Sequence, residues 1–371
     1  LICSDDDGDT CDDCSSGCYS TMDDGPDNDD DGVQNSVDGQ VKIVARVDAG
    51  DYIDLTGLTT ITAGHYTTEP LDSINIWVSK DEFVGAGETI YADGNVVDIS
   101  AVIYDKVGNY TTGTPSANTI TIDTEAPVVG NYSVTGVLAD GGTVVSNYWN
   151  GTNTGLNVDV SIGGADQTVG EGSILLQAGI GPNNATAAYE ALGSPAEIGA
   201  SDLGTTITPP ITADDVEALS EYAEDKIINI KAEIVDAAGN KTTIGASDIQ
   251  TTIDETKPSI SSVTSITNGL QGVGDVVDIT MTFSELLTLT DGEATVDLDV
   301  TFSPVLEMTD LNGVTEVAFN YTVAEGDESD DLTFNGITLD LGALRDVAGN
   351  DMDVFTAPAG FNLSDYADIS V

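Results

Sequence analysis

Val102-Ile-Tyr-Asp105-Lys-Val-Gly108-Asn109 recurs as Glu233-Ile-Val-Asp236-Ala-Ala-Gly239-Asn240 and again as Ala343-Leu-Arg-Asp346-Val-Ala-Gly349-Asn350. Eighteen residues beyond Asp105 stands Asp123, in Thr121-Ile-Asp123-Thr-Glu-Ala-Pro127. Eighteen beyond Asp236 stands Asp254, in Thr252-Ile-Asp254-Glu-Thr-Lys-Pro258. Equal offsets over so specific a pattern mark an internal repeat. The residues before each Asp alternate: Val97, Ile99, Ala101 and Ile103 in the first unit, Ile228, Ile230, Ala232 and Ile234 in the second. Period two with one apolar face is a half-buried strand, and repeated short strands separated by Gly, Asn and Thr predict packed sheets.

An earlier strand alternates in the same way. Val41, Ile43, Ala45 and Val47 share a face in unit one, Leu156, Val158, Val160 and Ile162 in unit two, and Val277, Ile279, Met281 and Phe283 in unit three. Helix is expected only at Asp214–Asp225, where Val216, Leu219 and Tyr222 are spaced three apart behind acidic residues.

The repeat resembles the tandem immunoglobulin-like repeats of bacterial surface adhesins. Unit three resembles a related subtype through Thr282-Phe-Ser-Glu285, Phe319-Asn-Tyr-Thr-Val323, Asp330-Asp-Leu332 and Asp346-x-x-Gly-Asn350. The resemblance covers roughly residues 40–371. It implies an all-β protein of three tandem immunoglobulin-like β-sandwich domains, at 39–125, 126–256 and 257–364, in an extracellular or cell-surface setting. A tail, 365–371, follows. A small disulfide-tied, calcium-binding N-terminal head, 1–38, precedes.

The head differs from the rest in carrying no Lys or Arg and few large apolar residues, so covalent or ionic ties must order it. Cys3, Cys11, Cys14 and Cys18 form an even, clustered set that points to two disulfides and an oxidising compartment. Three pairings satisfy the count. A four-cysteine zinc site is the rival, though no second Cys-x-x-Cys accompanies Cys11 and Cys14. Asp27-Asn-Asp29-Asp-Asp31-Gly32-Val33-Gln-Asn35-Ser-Val-Asp38 reads as a twelve-position calcium loop. Side-chain oxygens fall at positions 1, 3, 5, 9 and 12, the Val33 carbonyl at 7, and Gly at the sharp turn. Asp5, Asp7, Asp9 and Asp13 make a second, poorer loop without that Gly. The head resembles thrombospondin type-3 and dockerin calcium repeats and departs from them in its cysteine cluster.

Net charge is −56, from 9 Lys+Arg against 65 Asp+Glu. Such a surface repels nucleic acid and anionic membranes, and it destabilises its own fold unless divalent ions or a saline habitat neutralise it. With hydrophobic residues at 40% and charged residues at only 20%, the chain folds rather than staying disordered. No apolar run reaches transmembrane length, and beginning at Leu1 the chain reads as a processed chain or a fragment.

Asp105, Asp236 and Asp346 have two readings. In one, Asp accepts backbone N–H groups in a β-turn and the later Gly or Asn takes the left-handed position. In the other, these carboxylates join Asp123 or Asp254 and Glu285 to hold calcium at domain junctions. Calcium is the one cofactor expected.

Catalysis fits poorly. His65 is the only histidine, no nucleophile elbow or phosphate loop is present, and carboxylate pairs carry no information among 65 acids. Trp77 and Trp149 are expected in sandwich cores or at their rims. Sequons at Asn109, Asn131, Asn150, Asn184, Asn240, Asn320 and Asn362 permit glycans.

Units two and three open with a strand that unit one lacks, whereas Phe361-Asn-Leu363-Ser364 falls where Ile120-Thr-Ile122-Asp123 falls. This leaves Asp365, Tyr366, Ile369 and Val371 as a spare strand. The expectation is a homopolymer, a surface filament in which the tail completes the first domain of the next subunit. The alternative is a stalk or glycan-binding module of a larger secreted adhesin.

Overall fold

The computed structural model describes residues 39–61, 74–105, 107–165, 169–182, 188–245, 250–302, 306–308 and 311–371. The acidic head, with its cysteines and both loop motifs, lies outside the described residues, as do His65 and Asn184. What is described is chiefly β-strand, in one unit ending at Glu125 and a second from Ala126 to Val371. The second unit contains two separate apolar cores, one drawn from Tyr132 to Ile253 and one from Ile260 to Ile369. Among the described residues no helix is long and apolar enough to cross a membrane.

Domain two is a two-sheet sandwich. Gly172–Ile180 pairs antiparallel with Ile227–Val235, so the rungs Ile174–Ile234, Leu176–Ala232, Ala178–Ile230 and Ile180–Ile228 line one face. Tyr132–Asp140, Gly155–Ile162 and Thr206–Ile207 form the opposing sheet, which brings Leu156, Val158, Val160 and Ile162 into the same core. All of these side chains are buried, and each large aliphatic contributes about 1.5–3 kcal/mol by leaving water. The short Tyr148–Trp149 strand crosses to the first sheet and runs parallel to Thr251–Ile253. The expected helix is only Ala213–Glu217, begun by a Thr212–Asp215 capping box. Glu221 then adopts a left-handed conformation (φ 65°), so the helix cannot extend to Asp225.

Domain one departs from the expected register. Gln40–Val47 pairs with Val96–Tyr104 just as Gly172–Ile180 pairs with Ile227–Val235. Its first strand is therefore the counterpart of 172–180 and not of 155–162. Alternation alone reports a buried face and not which strand lies alongside. Among the described residues, domain one shows a single sheet, with no counterpart of the 132–140 and 155–162 strands. The apolar rung Val41–Ile103 is covered on one side only: Val41 is buried while Ile103 is 46% exposed. Trp77, expected in a core or rim, is 86% exposed, whereas Trp149 is fully buried.

Domain three places Ile260–Thr264, Val276–Thr290 and Asn312–Thr322 in one sheet, and Leu306–Glu307, Glu293–Leu298 and Phe334–Asp340 in another. Gly269–Leu270 lies parallel to Ile369–Ser370. This arrangement corrects the reading of Asp365, Tyr366, Ile369 and Val371 as a spare donor strand. Ile369 is fully buried in the domain's own core, Leu332 N–H donates to its carbonyl (2.7 Å), and Ser329 and Val371 exchange two backbone bonds. The tail is the domain's closing strand, the counterpart of Thr251–Ile253. Asn362 caps a helical turn, Leu363–Tyr366, that delays this strand by six residues relative to the offset of eighteen. The domain thus extends past 364, and Asp365 and Tyr366 belong to that turn and remain exposed.

Candidate metal centre at the junction of domains two and three

The repeated Asp-x-x-Gly-Asn segment forms the same turn three times. Oδ1 of Asp105, Asp236 and Asp346 accepts the N–H of Asn109 (2.7 Å), Asn240 (2.8 Å) and Asn350 (2.9 Å). The carboxamide of each Asn reaches back to the other carboxylate oxygen, at 2.6, 3.1 and 2.8 Å. Gly108, Gly239 and Gly349 take φ of 91°, 92° and 96°, which only glycine adopts without strain. The turn reading therefore accounts for all three sites, and each Asp is held in a fixed rotamer by its own turn.

The third copy does more. Its Ala348 and Asn350 are buried, at 0% and 2% exposure, because the turn sits against the 143–153 segment of domain two. Asn150, also fully buried, donates from its carboxamide to Thr143 O and to Ala348 O, both at 2.7 Å. In return Asn350 donates to Asp254 O (2.8 Å) and accepts from Gly151 N (3.3 Å). A Cβ on Gly349 would stand 2.8 Å from Thr143 Cγ2 and 3.0 Å from Val145 Cγ2, so glycine is needed for close approach as well as for its φ. Lys257 of the linker pairs with Asp353 at 2.6 Å across the same junction.

This docking brings three acids together. Asp254 comes from the end of domain two, Glu285 from the long second strand of domain three and Asp346 from the turn; one oxygen of each lies within 4.8 Å of the others. Glu224, from a domain-two loop, borders them and accepts from Glu255 N at 3.0 Å. No ion pair among the described residues reaches any of the four. Burial, then the charge of Asp346, then Glu224, push Asp254 up to about 7. Burial, then Asp346, Asp254 and Glu224, push Glu285 up to about 7. Like charges forced together disfavour ionisation, and a cation placed among them would remove that cost.

The donor set fits calcium. It offers hard carboxylate oxygens with no imidazole or thiolate, and two ligands opposite one another on a calcium ion are separated by about 5 Å. Of the expected junction residues, the structure unites Asp254, Glu285 and Asp346. Asp105 and Asp236 bond within their own turns, and Asp123 Oδ1 accepts from Glu125 N at 3.2 Å. Sequence reading did not find Glu224 or the Asn150 clasp. Asn150 stands in a sequon, a context that suggests exposure, and Glu224 precedes its neighbour Asp254 by thirty residues that include three strands. No local pattern signals either.

No protein-family model and no curated protein matches the sequence. Among solved structures, the chain is similar to the FN1–FN3 domains of chicken CNTN1, at 8% identity over 87% of this chain and 96% of that one. The TM-score is 0.21.

Proposed function

We propose that the protein is an extracellular structural strut of immunoglobulin-like domains, stiffened by calcium held between domains two and three. The observation that carries this reading is the meeting of Asp254, Glu285 and Asp346 across the junction, bordered by Glu224 and without an ion-pair partner among the described residues. Calcium in that position would make the clasp and the ion cooperate. The turn fixes Asp346 for the ion, and the ion neutralises acids that otherwise push the domains apart. The Asp27–Asp38 and Asp5–Asp13 loops would add calcium in the head. Extracellular modules of this kind bind at about 10⁻⁴ to 10⁻³ M, an affinity suited to a standing stabiliser.

Buried Trp149 provides the test, because its carbonyl accepts from Asp254 N at 2.9 Å. In a Trp77→Phe background, terbium luminescence sensitised by the remaining indole is expected, displaced by calcium and abolished by Glu285→Gln with Asp254→Asn. Luminescence unchanged in that double variant would refute the site. If sodium chloride at matched ionic strength stabilised the fold as well as calcium does, the acids would need only screening.

The second reading, a glycan-binding module of a larger adhesin, draws on one observation. Trp77 exposes a whole indole face suited to stacking on a sugar ring. A glycan-array signal lost on Trp77→Ala would favour it.

A further inference from the structure

Domain three repeats, at its far end, the surface that domain two uses to grip its neighbour. In domain two, Trp149 pairs with Ile253 of the closing strand, and the next residue, Asn150, receives the turn of domain three. In domain three, Gly269 pairs with Ile369 of the closing strand, and the next residue is Leu270. Ile253 and Ile369 are both fully buried, so the two short parallel ladders are anchored alike. Asn150 is covered completely; Leu270 is 82% exposed, with Ile266 at 94% and Val273 at 70% beside it in sequence.

These apolar tips stand on a well-tied loop. The Asp278 carboxylate accepts the N–H of Ile266 and of Thr267, both at 3.1 Å, and the Thr267 hydroxyl at 2.5 Å. Gln271 donates to Asn268 O at 3.1 Å, and Gly272 N to Asp275 at 2.8 Å. The segment from Pro258 to Gly274 contains no charged residue, in a chain whose net charge is −56. A rigid, uncharged apolar tip on so acidic a molecule is the surface on which two copies can meet with least repulsion.

The matching half is on the same chain. The turn of domain one, Asp105–Asn109, has the bonding pattern of the turn that domain two grips. Where domain three presents the buried Ala348, domain one presents Val107, 70% exposed, with Tyr110 at 69% just beyond. Where Asp254 follows Ile253 at the metal cluster, Ser370 follows Ile369. The socket of domain three therefore substitutes apolar surface for the carboxylate and the amide of the internal junction.

We propose that the tip formed by Ile266, Leu270 and Val273 docks the Asp105–Asn109 turn of a second copy, with Val107 taking the place that Ala348 holds within the chain. The contact is heterologous, so it propagates head to tail. It rests on the strut reading but needs no calcium, which separates the two experimentally.

The test is sedimentation of the full chain in chelator and about 1 M NaCl, where the Debye length falls to about 3 Å. Native protein is expected to form concentration-dependent linear oligomers. Leu270→Asp and Val107→Asp should each weaken association at least tenfold while leaving the far-UV dichroism and the calcium response unchanged. An equimolar mixture of the two variants should stop at dimers, because each retains the half the other has lost. A native protein that stays monomeric at hundreds of micromolar would overturn the proposal. Loss in only one variant would do so too, since it would indicate tip-to-tip pairing or an unrelated contact, and so would a mixture that forms no dimer.

Discussion

Replacing Asn150 should uncouple domains two and three. Its carboxamide supplies two 2.7 Å bonds, to Thr143 O within domain two and to Ala348 O in domain three, and its oxygen accepts from Thr152 N and Oγ at 3.0 and 2.7 Å. Thr143 O keeps a 3.3 Å bond from Asn153 in Asn150→Ala, so the main penalty falls on Ala348 O, in a turn whose Ala348 is wholly buried. A net bond contributes about 1 kcal/mol, and a stranded buried acceptor costs about 1–3 kcal/mol, giving about 2–4 kcal/mol in all. In a unit of this size each kcal/mol moves the midpoint by about 2–4 °C, so calorimetry should show a fall of about 4–16 °C and a transition split in two. Asn150→Asp should be worse at pH 8, because a carboxylate would face two carbonyl oxygens near Asp254 and Asp346. The introduced carboxyl would have a raised folded pKa, so its penalty should shrink toward pH 4, where a protonated acid can donate one bond. Both variants melting within a degree of the native chain at pH 8 would refute the clasp.

The pH response of the metal-free protein follows from Asp254 and Glu285. Their folded pKa values near 7 exceed those of the unfolded chain, so the folded state binds more protons between about pH 4 and 7. Stability in chelator should therefore fall as pH rises through that window, by about 1–2 kcal/mol once solvent screening is counted, and level off above it. Saturating calcium should flatten that slope in thermal melts, and an equal slope with and without calcium would remove the ion from the site. Gly239→Ala meets nothing within 4 Å and should cost only the strain of a positive φ, about 1–2 kcal/mol. Gly349→Ala should cost more in denaturant titrations, because its Cβ meets Thr143 and Val145; equal losses would show that the turn is not pressed against domain two. Deleting residues 365–371 should unfold domain three at temperatures the native chain withstands, since it removes buried Ile369 and strands Leu332 N–H. A folded, native-like melt after that deletion would return the tail to the role of a free strand.

Much of this architecture was legible because each signal is local. The three Asp-x-x-Gly-Asn turns announce themselves, since the left-handed glycine and the carboxylate that bonds its own backbone must lie within five residues of each other. The alternating faces of 172–180 and 227–235 carry their burial in their sequence. Partnership is not local. Nothing in Val41-Lys-Ile43-Val-Ala45 says whether the strand faces a sheet or pairs within one, and so domain one was matched to the wrong strand of domain two. The six-residue delay at Leu363–Tyr366 misled for a related reason. An offset that held twice was extended to a third domain in which Asn362 and Asp365 form a capping box. The role of Asn150 is invisible in sequence because a sequon is a chemical pattern, indifferent to whether its amide is committed to two carbonyls.

The carboxylate cluster shows how a turn motif would come to serve the proposed metal without changing its sequence. Each signature Asp is already saturated on one oxygen by two backbone N–H groups, and its other oxygen takes a single bond from the Asn carboxamide. That second oxygen retains lone-pair capacity, and the turn holds it in place at no further entropic cost. Asp105 and Asp236 share this internal geometry, yet among the described residues neither belongs to a group of three acids. The difference at Asp346 lies in what surrounds it. Asn150 draws the turn onto domain two, Asp254 arrives on the closing strand, and Glu285 projects from a strand that runs on past its partner Ile260. The motif thus supplies one pre-oriented ligand, and the junction supplies the rest. A sequence search for the motif would count three candidate sites; among the described residues, only Asp346 of the three belongs to a group of three acids.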